Sequence, residues 1–308
     1  MAIPVGDPGA EVRSVFVLGA PRCGTTFVSR MLAGHPEVCF SKPKEPHAFV
    51  RTRTAIQPRE YLRRYYPHLT AAHRVIAEGS PSYLYDPEVP GRILALDPEA
   101  RFVVCVRNPV EMAPSYHARL VYTLDEDVRD FEEAWSLQEE RARGLRIPRR
   151  CRDARLLQYR AACSVGEQLE RLIAGVGRER CFVAVFDDLV ANPGKVYRDL
   201  LESIGLDNDG RTAFKPKNAN REFERAWMQA YLLNPPRPIA WLLDFWEGRG
   251  WGVPGVYRSF RRWVKRRNTR RVARSPLSDP MRETLRTAFA SDVQRLSDLL
   301  GRDLSHWR

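Results

Sequence analysis

The segment 14–26, Ser-Val-Phe-Val-Leu-Gly-Ala-Pro-Arg-Cys-Gly-Thr-Thr, constrains this chain more than any other stretch. An apolar run from Val15 to Leu18 stops at Gly19 and turns through Pro21. Past Gly24 it gives way to apolar residues at helical spacing, Phe27, Val28, Met31 and Leu32. Strand, glycine-bounded loop and helix, in that order, outline a phosphate cradle. Amides at a helix N-terminus lack intrahelical partners and carry the positive end of the helix dipole, so an anion is favoured there. Thr25 and Thr26 add hydroxyl donors. The spacing from Gly19 to Gly24 matches a nucleoside-triphosphatase P-loop, but the position after the second glycine, lysine in that motif, is Thr25. The cation stands inside the loop instead, as Arg22. An ordinary tight strand-to-helix turn would share much of this pattern.

A chain of 308 residues with 44% hydrophobic content can bury the core of one large α/β domain or two small ones. The first twenty residues lack a charged start and a long apolar stretch, and the apolar run at 239–246 is too short to cross a bilayer, so a soluble, cytoplasmic protein is expected. Six cysteines form no C-x-x-C pair, which suggests neither zinc nor a disulfide framework. The net charge of +12 calls for anionic partners, and it is carried by 44 Arg against 6 Lys. Two of those lysines, Lys42 and Lys44, precede one glutamate, Glu45.

Val38–Phe40 reads as a short strand entering Ser41-Lys42-Pro43-Lys44-Glu45-Pro46-His47. Prolines at 43 and 46 forbid a helix, so Lys44, Glu45 and His47 are presented from a loop at a strand's end. Ligands of open parallel sheets bind beyond the carboxyl ends of the strands. Further strands are expected at Arg74–Glu78, ahead of the polar loop Gly79-Ser80-Pro81-Ser82-Tyr83, at Arg101–Val106 and at Cys181–Phe186. Helices are expected at 59–66, 88–96, 129–147, 155–175 and 195–204. This alternation argues for a three-layer α/β fold around a central parallel sheet. Arg107 ends the strand 101–106 where a P-loop hydrolase would place a magnesium-binding aspartate. Its forked cation suits phosphate, and a plain surface arginine is the alternative. Pro109 suits the first turn of the helix that carries Ser115 and Tyr116. From 211 to 275 tryptophan and arginine crowd together and strand-like alternation disappears, which predicts a helical, basic insertion or lid over the active face. An amphipathic helix at 278–300 returns to the core. A single domain, 1–308, is expected, with its α/β core at 12–210 and its C-terminal part at 276–308.

Three motifs occur in order: Gly19-Ala-Pro-Arg-Cys-Gly-Thr-Thr, Val106-Arg-Asn-Pro-Val-Glu-Met-Ala-Pro-Ser-Tyr116 and Leu299-Leu-Gly-Arg-Asp-Leu-Ser-His-Trp307. Together they resemble the sulfotransferases that use 3′-phosphoadenosine 5′-phosphosulfate (PAPS), particularly the bacterial members and the heparan sulfate branch, and the resemblance covers most of the chain. It implies a P-loop-like sulfotransferase fold, PAPS as donor, PAP as product and no metal. The first motif is similar to the 5′-phosphosulfate loop, which implies binding by Arg22, Cys23, Gly24, Thr25 and Thr26. The second is similar to the 3′-phosphate element R-x-P-x-x-R-x-x-S-x-Y, which implies Arg107 and Ser115 there. Lys44-Glu45-Pro46-His47 resembles the E-x-H segment, implying Glu45 as the general base of the acceptor and His47 in its support.

The physical case for Glu45 stands beside this. A hydroxyl is a poor nucleophile, and a positioned base that takes its proton is worth roughly 10²–10⁴-fold. Nearby lysines keep such a carboxylate ionised. The residues alone leave open a solvated Glu45 paired with Lys42 or Lys44, and a His47 that is base, orienting group or structural. Three departures from the pattern stand out. Arg22 replaces a loop lysine that touches the bridging oxygen, and a guanidinium supplies charge but no proton at neutral pH. The family's E-K-T-P reads Glu78-Gly79-Ser80-Pro81 here, with Lys42 or Lys44 as the candidate replacement cation. Met112 stands in place of the second motif arginine.

The expected reaction is an in-line transfer of the sulfuryl group to a hydroxyl of a carbohydrate, lipid or natural-product acceptor, with Glu45, His47, Arg22 and Lys44 catalytic. A P-loop nucleotide kinase with magnesium on Asp187 is one rival. A non-enzymatic anion- or membrane-binding protein is the other, built on 258–274, where nine of seventeen positions are Lys or Arg and none is acidic. With Val256, Phe260, Trp263 and Val264 at helical spacing, the segment 256–274 reads either as a peripheral membrane contact or as a surface helix packed by one face. No nucleic-acid partner is expected, and the sequence does not set an oligomeric state. Tyr61, Tyr65, Tyr83, Trp227, Trp241 and Trp246 are candidates for an acceptor site or for the core.

Overall fold

Strands covered on both faces read as unbroken apolar runs, and Val15–Leu18 and Phe102–Val106 are both at most 1% exposed. In the computed structural model they pair side by side at the middle of the sheet. The structure describes residues 3–4, 11–51, 56–214, 221–223, 225–233, 235–248, 255–271 and 276–307. The chain divides into two compact units, one made of Met1–Met112, Cys163–Lys217 and Thr284–Arg308, the other of Ala113–Ala162 and Asn218–Glu283.

The first unit holds the strands β1 (Ile3–Pro4), β2 (Glu11–Gly19), β3 (Val38–Phe40), β4 (Val75–Glu78), β5 (Arg101–Val106) and β6 (Cys181–Val185). Five of them form a parallel sheet in the order β3-β4-β2-β5-β6, and β1 adds to β2 antiparallel. In this register Phe16 lies between Glu78 and Phe102. Because the strands run the same way, the segments after β2, β3, β4 and β5 all leave the sheet at one edge. The segments 20–24, 41–47, 79–83 and 107–108 are therefore neighbours by topology.

The helix Thr25–Ala33 follows the first of these segments. Its N-cap, Gly24, has φ 96°, and a Cβ there would come within 3.0 Å of Leu189 Cδ1, so glycine is required. Its far end is held by Arg211, which donates to Met31 O at 2.7 Å and is itself paired with Asp209 at 2.6 Å. The helix Asp279–Leu300 buries Leu285, Phe289, Val293 and Leu296, and its Asp292 accepts the amides of Gly166 and Glu167 at 2.9 Å each, capping Val165–Val176. Beyond it, Trp307 Nε1 donates to Asp187 Oδ2 at 2.8 Å and Arg302 pairs with Asp188 at 2.5 Å. Asp187, the metal ligand of the kinase reading, is thus occupied in fastening the C-terminal segment.

Two expected helices are broken. The span 129–147 becomes Phe131–Ser136 and Gln138–Ala142, ended where Gly144 and Arg146 take positive φ of 81° and 48°. The span 155–175 becomes the 3₁₀ turn Ala154–Leu157 and the helices Tyr159–Cys163 and Val165–Val176. Gln138 makes the first of these breaks favourable, since its carbonyl accepts from Gln158 Nε2 at 3.0 Å and its side chain accepts Arg160 N at 2.8 Å. The second unit also contains the helices Ala226–Leu233, Arg237–Gly248 and Gly255–Asn268. Strand pairing is present there against expectation: β7 (Arg221–Phe223) runs antiparallel to β8 (Thr269–Arg271). Asn268 closes the ribbon by accepting Arg225 N and donating to Arg225 O, at 2.8 and 3.2 Å. Buried beside Tyr159 in this unit lies the ion pair Arg141–Glu126, both side chains fully enclosed.

Candidate active site

After β2 the chain folds back on itself. Ala20 N donates to Cys105 O at 2.7 Å and Cys23 N to Ala20 O at 3.2 Å, which leaves Gly24 to start the helix. Arg22 takes φ 70°, and its carbonyl accepts from Arg107 Nη1 at 3.4 Å. The Arg107 guanidinium lies 4.5 Å from the centre of the Phe186 ring and 3.7 Å from Glu111. Two arginines therefore flank the turn into the helix, with Thr25 buried and Thr26 exposed. Cys23 is fully buried, its sulfur 3.4 Å from Met112 Sδ, and burial pushes its thiol up to about 12 against the opposing pull of Arg107 and Arg22. Its part is to shape the loop. Met112, at the missing motif arginine, fills that same interior.

The loop after β3 holds Glu45 between two partners. Lys44 Nζ donates to Glu45 Oε1 at 2.8 Å, and His47 Nε2 stands 3.7 Å from Oε2, an ion-pair separation. Partial burial pushes the Glu45 carboxyl up, but His47 and Lys44 together outweigh it and leave it lowered to about 2. The cluster is thus anionic at its centre at any physiological pH.

The loop after β4 carries the residues that sequence reasoning missed. Ser80 Oγ accepts His47 N at 3.1 Å, and Ser82 Oγ bonds His47 Nδ1 at 2.8 Å, which orients the ring with Nε2 toward Glu45. Gly79 N donates to Lys44 O at 3.1 Å, and Lys44 Nζ donates to Gly79 O at 3.3 Å. Lys44, and not the exposed Lys42, therefore occupies the space beside position 79. On its other side this segment meets the first loop, since a Cβ on Gly19 would lie 2.7 Å from Pro81 O and one on Gly79 would collide with Ser29 Oγ. Residues 79–83 thus touch both the arginine-bearing loop and the Glu45 loop. The only advance sign of this was the run of small polar residues.

Gly79→Ala should cost about 1–3 kcal/mol by overpacking against Ser29 and Lys44. Urea denaturation measures it, and a companion Ser29→Ala change should recover part of the loss. Beneath the loop Glu78 is fully buried, with Tyr61 OH donating to its Oε2 at 2.5 Å. Burial raises its carboxyl from 4.5 to about 6, hydrogen bonds only partly opposing this. A carboxyl raised on folding favours its protonated form, so the fold loses about 2 kcal/mol as pH rises from 4.5 through 6. Glu78→Gln should therefore gain on the wild type in thermal melts at pH 8 relative to melts at pH 4.5.

Residues 14–210 match the model of the sulfotransferase family. The chain belongs to that family. A solved sulfotransferase from Alicyclobacillus acidocaldarius shares the fold over 96% of this chain and 98% of its own, with TM-score 0.66 and 24% identity. Carbohydrate sulfotransferase 15 of Mus musculus is 33% identical over 31% of this chain and 25% of its own length. Heparan sulfate glucosamine 3-O-sulfotransferase 6 of Homo sapiens is 33% identical over 37% of this chain and 35% of its own. The chain thus spans about a quarter to a third of these curated relatives. In this sulfotransferase the parallel sheet and its flanking helices agree with the fold that the motifs implied. Lys44, Glu45 and His47 come together, as do Arg22 and Arg107. Ser115 is buried on the helix Pro109–Thr123 and counts with the second unit. Tyr61 and Tyr83 are core, whereas Trp227 and Trp241 are exposed.

Proposed function

We propose that this sulfotransferase moves a sulfuryl group from PAPS to a hydroxyl acceptor, with Glu45 as general base. The observation that carries the reading is a loop-borne, ionised Glu45, held by Lys44 and His47 at the sheet edge where the loop of Arg22 also emerges. The residues present fit the donor: a helix N-terminus, two arginines and two threonine hydroxyls suit its phosphate and sulfate groups. When bound, PAPS supplies an activated sulfuryl group on a phosphate leaving group.

Glu45 takes the hydroxyl proton of the acceptor as its oxygen becomes acidic. Ser82 and His47 hold the carboxylate in place. Arg22, the amides of the first helical turn, Thr25 and Thr26 meet the charge that gathers on the leaving phosphate, and one such aimed donor is typically worth about 2.7–4 kcal/mol. Arg22 does this by charge and hydrogen bonds, without handing over a proton. Arg107 is assigned to the 3′-phosphate. Lys44 supplies the cation that the motif would draw from position 79, and its shift onto an anionic donor would relieve the hold that lowers Glu45. A carbohydrate is the proposed acceptor, in keeping with the names of both curated relatives.

The test begins with melting temperature. PAP at about a hundred times its Kd should stabilise the fold by about 2.7 kcal/mol. Labelled PAPS with a panel of carbohydrate, lipid and aromatic hydroxyls should then transfer label to a carbohydrate. An unmoved melting temperature, or turnover with ATP and magnesium alone, would overturn the reading.

A further inference from the structure

Large apolar side chains left in water need a reason when they gather. Among the described residues seven of the nine exposed ones, Trp227, Leu233, Trp241, Leu242, Val256, Phe260 and Trp263, fall on three successive helices of the second unit. Val256 is 84% exposed, Trp227 68% and Trp241 65%, so these side chains are not covered by the unit that bears them. On the helix Gly255–Asn268, Val256, Phe260, Trp263 and Arg267 follow one another at spacings of four, three and four, a single stripe. Val264 is buried and ties the helix down. Beside the stripe, against the helix Ala226–Leu233, runs a groove of about 520 Å³ whose lining includes Trp227, Met228, Tyr231, Phe260, Trp263 and Arg267.

The same segment is strongly cationic. Residues 255–271 contain eight Lys or Arg and no acid. Residues 272–274 of the basic stretch lie outside the described residues. A soluble polyanion would satisfy the cations but leave Val256, Leu242 and the tryptophans in water. A second copy of this face would cover them only by opposing eight cations with eight. An anionic bilayer surface answers both demands, because its headgroup layer accepts tryptophan and phenylalanine while lipid phosphates receive the arginines. No described helix is long and apolar enough to cross a membrane.

We propose that the helices Ala226–Leu233 and Gly255–Asn268 form a docking surface for an anionic lipid bilayer, with Phe260 and Trp263 entering the headgroup layer and Arg266 and Arg267 binding its phosphates. Sedimentation of the full chain with phosphatidylcholine vesicles, with and without phosphatidylglycerol, tests it. Binding should require the anionic lipid and weaken with salt. Arg266→Ser with Arg267→Ser should lower partitioning roughly thirtyfold, at about one kcal/mol per cation. Phe260→Ser with Trp263→Ser should abolish the salt-resistant remainder and the quenching of tryptophan fluorescence by brominated lipid. Circular dichroism must show both variants folded, and Val256→Ser alone, at a side chain almost wholly in solvent, gives a milder readout if either is not. Equal binding to neutral vesicles, or binding of heparin that ignores the aromatic changes while vesicles stay unbound, would overturn the proposal.

Discussion

Glu45→Gln should lower kcat by roughly 10²–10⁴-fold while leaving PAP affinity within about threefold of the wild type. The substitution keeps shape and removes only the ability to accept a proton. Lys44 and His47 lose a charged partner, but the arginine loop after β2 is untouched, so donor binding survives. The carboxyl is lowered to about 2 on folding from its ordinary 4.5, so its electrostatic contribution is present above pH 4.5 and lost as pH falls through 2. The kcat/KM profile of the free enzyme should accordingly show no acid limb from this residue between pH 5 and 8. Equal losses in turnover and PAP affinity would show that Glu45 serves binding and not proton transfer. His47→Asn, read beside it, should act more weakly, since that ring touches Glu45 across 3.7 Å.

The second large effect falls on stability, in the other unit. Arg141→Met should destabilise the protein by about 3–5 kcal/mol, because it strands a buried carboxylate. Both Nη atoms of Arg141 donate to Glu126, at 2.6 and 2.7 Å, while Tyr159 OH and the amides of Asp127 and Val128 complete its shell at 2.5, 2.9 and 2.9 Å. Burial pushes the Glu126 carboxyl up, but these partners outweigh it and leave it lowered. The stabilisation is thus full above the ordinary carboxylate range and fades as pH falls. Melting should drop by roughly 10 °C. Arg141→Met combined with Glu126→Gln should recover part of the loss, since a neutral amide needs no counter-charge and its oxygen can still accept from Tyr159 and the amides of Asp127 and Val128. A single-variant cost below about 1 kcal/mol would mean that water reaches the pair.

How much of this the chain discloses depends on the distance over which its signals act. The strands β2 and β5 are legible because Val15–Leu18 and Phe102–Val106 are apolar without interruption, and the loop after β2 because Gly19, Pro21 and Gly24 punctuate it. Glu45 and His47 are legible because prolines on either side of Glu45 forbid a helix. Ser80 and Ser82 are not. Their bonds to His47 exist only once β3 and β4 lie side by side, a fact no local pattern encodes. Arg141 misleads in the opposite way, as a cation in a polar run, Gln138-Glu139-Glu140-Arg141, that folding encloses. The β7–β8 ribbon joins two three-residue strands far apart in the chain, too short for any alternation to register.

The bare backbone at position 79 has one more outcome. With Lys44 lodged there, the cation, the carboxylate and the histidine of the cluster all ride on a single four-residue stretch, while the neighbouring loop contributes only anchoring points. Transplanting acceptor preference between relatives by exchanging either loop alone would leave a donor facing no socket. Chimeras of this enzyme should work only when residues 41–47 and 79–83 travel as one cassette.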